Sequence, residues 1–145
     1  MDVGLTHVAL PVRDVGSSAT FYARYARMTV VHSRQDSETG KRVAWLSDGT
    51  RPFVIVLIET DRVAPMLSGW AHLGVGCESR AEVDRLVTLA RGEGRPTDGP
   101  EDAGPPVGYW AFIRDPDGNN LELSHGQEVG LAVERSASGR LKPRA

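Results

Sequence analysis

Apolar and polar residues alternate at the start of the chain and then run apolar, in "GLTHVALPV", as in a half-buried strand that ends at Pro11. Asp14 then offers an N-cap for "VGSSATFYARYAR", where Ala19, Tyr22, Ala23 and Ala26 recur at helical spacing. Three β-rich runs come next, "TVVHS", "RVAWLSD" and "FVIVLIE", separated by "RQDSETGK" and "GTRP". The predicted order is β-α-β-β-β.

The order then restarts. "GWAHLGVGC" resembles the opening strand, and "SRAEVDRLVTLARGEG" is an amphipathic helix with Ser79 as N-cap, stopped by Gly92 and Gly94. A weak strand near "RPTD", the loop "GPEDAGPPVG", the strand "YWAFIRD", the turn "PDGN" and the strand "NLELSH" complete a second β-α-β-β-β unit. From Gln127 onward the composition reads as a loop-like tail.

Because the halves repeat, they can be overlaid. "LTHVALPV" on "WAHLGVGC" aligns His7 with His72, and Glu122 in "NNLELS" falls on Val56 in "VIVLIE". Glu59 lies on the other face of its strand, near the end, and is expected to be exposed to solvent.

With 145 residues the chain suits one domain, or two similar halves sharing a core. Lys and Arg number 17 against 19 Asp and Glu, and no basic run precedes the tail "GRLKPRA", so nucleic acid is not an expected partner. The single cysteine, Cys77, excludes an intrachain disulfide and a cysteine-based zinc cluster, and it suits a reducing cytoplasm. No apolar run has the length of a membrane helix, and "MDVGLTHVAL" lacks the pattern of a secretory leader. A cytoplasmic protein, neither secreted nor membrane-bound, is expected.

Three positions carry candidate chemistry. His7, His72 and Glu122 each sit between residues that can pack beneath a helix, so alternation turns the polar side chain to the other side of the sheet. Two imidazoles and a carboxylate aimed into one concavity are the donors of open three-ligand Fe(II) sites, and they also suit Mn, Ni or Zn. Three protein ligands leave positions for water or substrate, as a catalytic metal requires. Taken singly, each His reads as a hydrogen-bonded strand residue and Glu122 as the wet face of an edge strand; their joint placement at repeated positions favours the metal.

The paired units, with "THVAL", "AHLGVG" and "RDPDGNNLEL" at their matching places, resemble the vicinal oxygen chelate superfamily over about residues 4–126. That superfamily includes glyoxalase I, extradiol dioxygenases, fosfomycin-resistance transferases, methylmalonyl-CoA epimerase and bleomycin-resistance proteins. The resemblance implies an α+β fold of two β-α-β-β-β modules, about 4–61 and 69–126, forming a cupped mixed sheet with the helices outside. Residues 1–126 would make one domain and 127–145 a C-terminal tail. It also implies that His7, His72 and Glu122 hold a divalent metal, with Fe(II) favoured, that the metal chelates neighbouring oxygens of a small-molecule substrate, and that the protein is a homodimer.

The branch is read from single positions. Glyoxalase I usually places a fourth ligand, Glu, where Val56 stands, and the epimerase a Gln; valine donates nothing. Fosfomycin-resistance transferases carry a Thr where this chain has Ala9. Extradiol dioxygenases share the triad without that fourth ligand, but usually add a Tyr where Phe112 stands. Val56, Trp110, Phe112 and Trp45 would make an apolar, aromatic substrate wall. His125 is the candidate acid–base residue, against its plainer reading as a strand-end side chain. Tyr109 should face away from the metal, His32 reads as an ordinary strand residue, and Cys77 as packing. The resulting expectation is a metal-dependent enzyme, extradiol-dioxygenase-like. One alternative is a protein that binds an antibiotic or natural product without turnover, and another a metal-dependent lyase or isomerase of glyoxalase type.

Overall fold

The computed structural model describes residues 1–140. Its elements, in chain order, are β1 (His7–Val12), α1 (Val15–Ala26), β2 (Thr29–Gln35), β3 (Arg42–Ser47), β4 (Val54–Glu59), β5 (Leu73–Gly76), α2 (Arg80–Gly92), β6 (Thr97–Asp102), β7 (Tyr109–Arg114), β8 (Asn120–His125) and α3 (Val129–Arg140). Among the described residues they form two four-stranded sheets and three helices, with strand orders β1-β4-β3-β2 and β5-β8-β7-β6. The two orders are the same, as a repeated module requires. The first sheet is mixed: β1 runs parallel to β4, while β3 is antiparallel to both β4 and β2. Among the described residues no helix is long and apolar enough to cross a membrane.

The chain divides into two compact units. The first comprises Met1–Leu73 with Arg114–Asn120, and the second Gly74–Ile113 with the residues from Leu121 on.

In the first unit α1 starts where Asp14 accepts the Ser17 N–H at 2.8 Å, the N-cap read from the sequence. Its buried face consists of Val15, Ser18, Phe21, Tyr22, Tyr25 and Ala26, packed over β2, β3 and β4. Ala23, expected on this face, is exposed. The three aromatic rings remove far more apolar area than alanines can, and so they set the helix's rotation. Leu10, Val12, Ala44, Leu46, Ile55 and Leu57 complete this core from the strands. Glu59, expected to be exposed, instead accepts the Val15 N–H at 3.2 Å and two bonds from Arg42. It joins the end of β4 to the start of α1, and these donors hold its carboxyl below the usual range.

The turn "DPDGN" also belongs to the first unit. Asp115 Oδ1 accepts the N–H groups of Asp117 and Asn119, and Oδ2 accepts Tyr22 Oη–H at 2.8 Å and Asn119 Nδ2–H at 3.1 Å. Gly118 has φ +86°, and a Cβ there would stand 3.0 Å from Pro65, so glycine is required both by backbone and by space. Asp117 is buried beside this knot, and its Oδ1 accepts the Arg13 N–H. Burial, together with the nearby Asp115 charge, raises its carboxyl above the usual range. A raised folded-state value means stability that is present at low pH and declines as pH rises through that value. Asp117→Asn keeps an acceptor for Arg13 and removes the ionisation. Its melting temperature should exceed wild type by about 2–4 °C at pH 8 and match it near pH 3; a constant offset across pH would contradict this.

In the second unit Ser79 caps α2 by accepting the Glu82 N–H, and Gly94, at φ +76°, follows the helix end. Val83, Leu86, Val87 and Ala90 form its buried stripe. β6 runs into the "GPED" stretch that was expected to be loop, with a register shift between Asp98 and Glu101. The tail also differs from expectation, since α3 occupies Val129–Arg140. It carries no buried stripe, which is why periodicity does not reveal it. The last residues of the expected tail, 141–145, lie outside the described residues.

Candidate functional site

On β1, Leu10 and Val12 face the core, so alternation puts His7, Ala9 and Pro11 on the opposite face of the first sheet. Register extends that face across the strands: His7 lies beside Val54, Ala9 beside Val56, Val56 beside Trp45, and Trp45 beside His32. The His32 and Trp45 rings stand 4.7 Å apart. His7, Trp45 and Val56 line a cavity of about 410 Å³ here, together with Val31, Phe53 and Arg51. Two residues expected in the substrate wall, Val56 and Trp45, thus share a cavity with one candidate ligand.

His7 Nδ1 is 2.9 Å from Thr6 Oγ1, which leaves Nε2 as the ring atom for a ligand. His72 is held more firmly. It directly precedes β5, with Nδ1 2.6 Å from the Trp70 carbonyl oxygen. A carbonyl only accepts, so Nδ1 carries a proton and any ligand atom of the ring would be Nε2. This is the arrangement by which a carbonyl orients a metal-binding histidine.

The segment before His72 is pinned by the turn that precedes β8. Asn119 Oδ1 accepts the N–H groups of Met66 and Leu67, both at 2.9 Å. Asn120 donates its N–H to the Leu67 carbonyl, and its Nδ2 to those of Gly69 and Ala71 at 2.9 and 3.0 Å. These asparagines were read from sequence only as turn and strand residues. No sequence signal tells which distant carbonyls an amide will reach.

In the second unit Leu121 and Leu123 are fully buried, and Glu122, on the other face of β8, is 6% exposed. Gln127 Nε2 donates to Glu122 Oε1 at 2.5 Å, a partner the sequence reading missed. Gly74 leaves room beside the carboxylate, since a Cβ there would stand 3.9 Å from Oε1. Trp110 and Phe112, the other expected wall residues, alternate together on β7 with their rings 5.0 Å apart. Tyr109 faces the other way, as expected. Its hydroxyl donates to Asp84 on α2, which raises the phenol above its ordinary value.

His125 has the parity of Leu121 and Leu123, so it and Glu122 leave β8 on opposite faces. Its Nδ1 is 3.0 Å from the Cys77 carbonyl oxygen, and the ring lines a smaller cavity of about 260 Å³ with Arg80 and Asp102. Cys77 is half-buried.

His7 and His72 therefore belong to the first unit and Glu122 to the second. Among the described residues no three His, Cys, Asp or Glu side chains are grouped so as to hold a metal ion. As a donor set the three fit a divalent ion of borderline softness, with two imidazole nitrogens and one carboxylate.

Comparison with known proteins agrees with this architecture. Over 137 residues the chain is 34% identical to PA2024, an uncharacterized protein of Pseudomonas aeruginosa, covering 92% of this chain and 96% of that one. It is 25% identical over 134 residues to a probable lactoylglutathione lyase of Vibrio cholerae, covering 90% and 96%. Among solved structures it is similar to a variant of the fosfomycin resistance protein FosX of Listeria monocytogenes, complexed with Mn(II) and a dihydroxypropylphosphonic acid. The TM-score is 0.69 at 19% identity, over 92% of this chain and 99% of that one, a likeness of fold. Residues 4–123 match the family model described as Glyoxalase/Bleomycin resistance protein/Dioxygenase superfamily. The chain belongs to that superfamily.

Proposed function

We propose that the protein is a divalent-metal-dependent enzyme that chelates two neighbouring oxygens of a small, apolar or aromatic substrate, with His7, His72 and Glu122 as metal donors. The observation that carries this reading is His72: its Nδ1–H on the Trp70 carbonyl presents Nε2 as a ligand atom, in a segment clamped by Asn120. When bound, a divalent ion supplies Lewis-acid polarisation of the chelated oxygens, or with iron a platform for O2 chemistry. The protein's own part is to hold the substrate. Trp45 and Val56 present an apolar surface beside His7, and Trp110 with Phe112 present another on the sheet that carries Glu122. The acid–base help expected of His125 has no support in its placement.

Within this class the extradiol-dioxygenase-like reaction is our narrower reading, because Val56 offers no fourth ligand. The likeness to a probable lactoylglutathione lyase keeps a lyase reaction as its rival. The reading includes the homodimer implied by the resemblance. It is tested by oxygen uptake with catechol and by loss of the hemithioacetal of methylglyoxal and glutathione, each after loading with Fe(II), Mn(II), Ni(II) or Zn(II). Oxygen consumption with Fe(II) or Mn(II) is expected, and hemithioacetal loss alone would replace the dioxygenase reading by the lyase.

One observation favours a different class. Gln127 gives the Glu122 carboxylate a hydrogen bond from the protein itself, which offsets part of the cost of burying it without a metal. A protein that binds an aromatic natural product and leaves it unchanged would need no more. Turnover with any of the four metals would exclude that reading.

A further inference from the structure

The cavity on the first sheet is not uniformly apolar. Arg51, from the loop between β3 and β4, shares its lining with Val31, Trp45, Phe53 and Val56. Arg51 Nε donates to Thr50 Oγ1 at 3.2 Å, and that hydroxyl donates in turn to Asp48 Oδ1 at 2.7 Å. The relay ties the inner edge of the guanidinium to its own loop. The two terminal nitrogens have no acceptor among the described residues. Asp2 lines the same cavity, but no ion pair joins it to Arg51 among the described residues. Two opposite charges nearby, Asp2 in the lining and Asp48 beside Arg51 in its own loop, lower the net field of the cavity, so recognition here depends on the shape of the donor fork more than on charge alone.

A planar fork with open donors, set beside an indole and a phenyl ring, matches one class of ligand. We propose that this cavity takes a small molecule with an aromatic or branched apolar body and a carboxylate. The carboxylate is seated on Arg51, and the body lies against Trp45 and Phe53. A cavity of about 410 Å³ is of the size that encloses a ligand of one or two rings. Two parallel N–H···O bonds from a guanidinium are among the stronger polar contacts a protein makes. The proposal rests on reading this face as the substrate site, and adds to it the class of substrate and the residue that selects it.

The test compares 2-naphthoate with its neutral counterpart 2-naphthamide by titration calorimetry, on the protein as purified and after treatment with a chelator. Wild type should bind the acid about tenfold more tightly than the amide, the worth of one charge-assisted contact. Arg51→Gln should abolish that preference and leave the amide's affinity in place, and Arg51→Lys should restore part of it. Trp45→Ala should weaken both ligands alike. Equal affinities in wild type, a preference that survives Arg51→Gln, or no binding of either ligand would each overturn the proposal. Because the preference is read in chelator-treated protein, it stands or falls apart from the metal: a failure of the metal reading leaves it intact, and its loss leaves metal content unchanged.

Discussion

Protein loaded with Mn(II) or Fe(II) should hold close to one ion per chain, and Glu122→Ala should lower its affinity for that ion by more than about a hundredfold. The magnitude follows from a comparison of shells. Removing a group that merely orients a ligand costs about 10–100-fold in metal affinity, so removing a donor atom must cost more. His72→Ala should act to the same extent. Asn120→Ala should act within the smaller range, because Asn120 touches the Gly69 and Ala71 carbonyls and not the ion. Equilibrium dialysis against increasing chelator, read by elemental analysis, ranks the three variants. Wild type that takes up no ion would sink the enzyme reading. Equal loss in all three variants would instead mean that Glu122 and His72 are structural, as Asn120 is.

The same series separates enzyme from binder. If partners within the protein, Gln127 among them, satisfy Glu122, Glu122→Gln should leave the binding of an apolar ligand unchanged. The metal reading predicts that this substitution abolishes turnover while the fold survives. A Gln side chain keeps the volume and one acceptor, so stability alone cannot explain a loss of activity.

How far the site could be read beforehand was decided by strand alternation. The parity of His7 against Leu10 and Val12, and of Glu122 against Leu121 and Leu123, is visible in a string of letters, and the structure keeps both. The same rule puts His125 with the leucines, away from Glu122. Helix caps were equally legible, because Asp14 and Ser79 act on N–H groups only three residues ahead. What stayed hidden were polar contacts that span a change of chain direction, two of them long-range and one only five residues apart. Glu59 reaches the Val15 N–H, Asn119 reaches Met66, and Gln127 reaches Glu122 through a turn back from the strand's end. α3 was missed for another reason: most of its residues are exposed, so no apolar stripe betrays it. Local chemistry and period-two patterns can be read in sequence, while polar contacts between segments that turn back on each other depend on the fold that brings them together.

Asp115→Ala should strongly destabilise the first unit, by about 3–5 kcal/mol in urea denaturation. One carboxylate there satisfies four donors: Tyr22 Oη–H, the N–H groups of Asp117 and Asn119, and Asn119 Nδ2–H. Tyr22 and Asn119 are almost wholly buried, so water cannot replace the acceptor without local opening. The Tyr22 phenol is pushed far above its ordinary value, by burial first and by Asp115 second, so it remains a donor at every working pH. Tyr22→Phe removes only one of the four donors and leaves Asp115 Oδ2 with Asn119, so it should cost about 1–2 kcal/mol. The difference between the two variants measures the turn, and the turn is what positions His72: once Asp115 is lost, Asn119 and Asn120 no longer present their amides to residues 66–71. Amide exchange at Met66 and Leu67 should therefore speed up in Asp115→Ala under native conditions, and change little in Tyr22→Phe. If exchange there were unaltered in Asp115→Ala, the segment before His72 would be held by something other than this knot, and the positioning argument for the metal donor would fail with it.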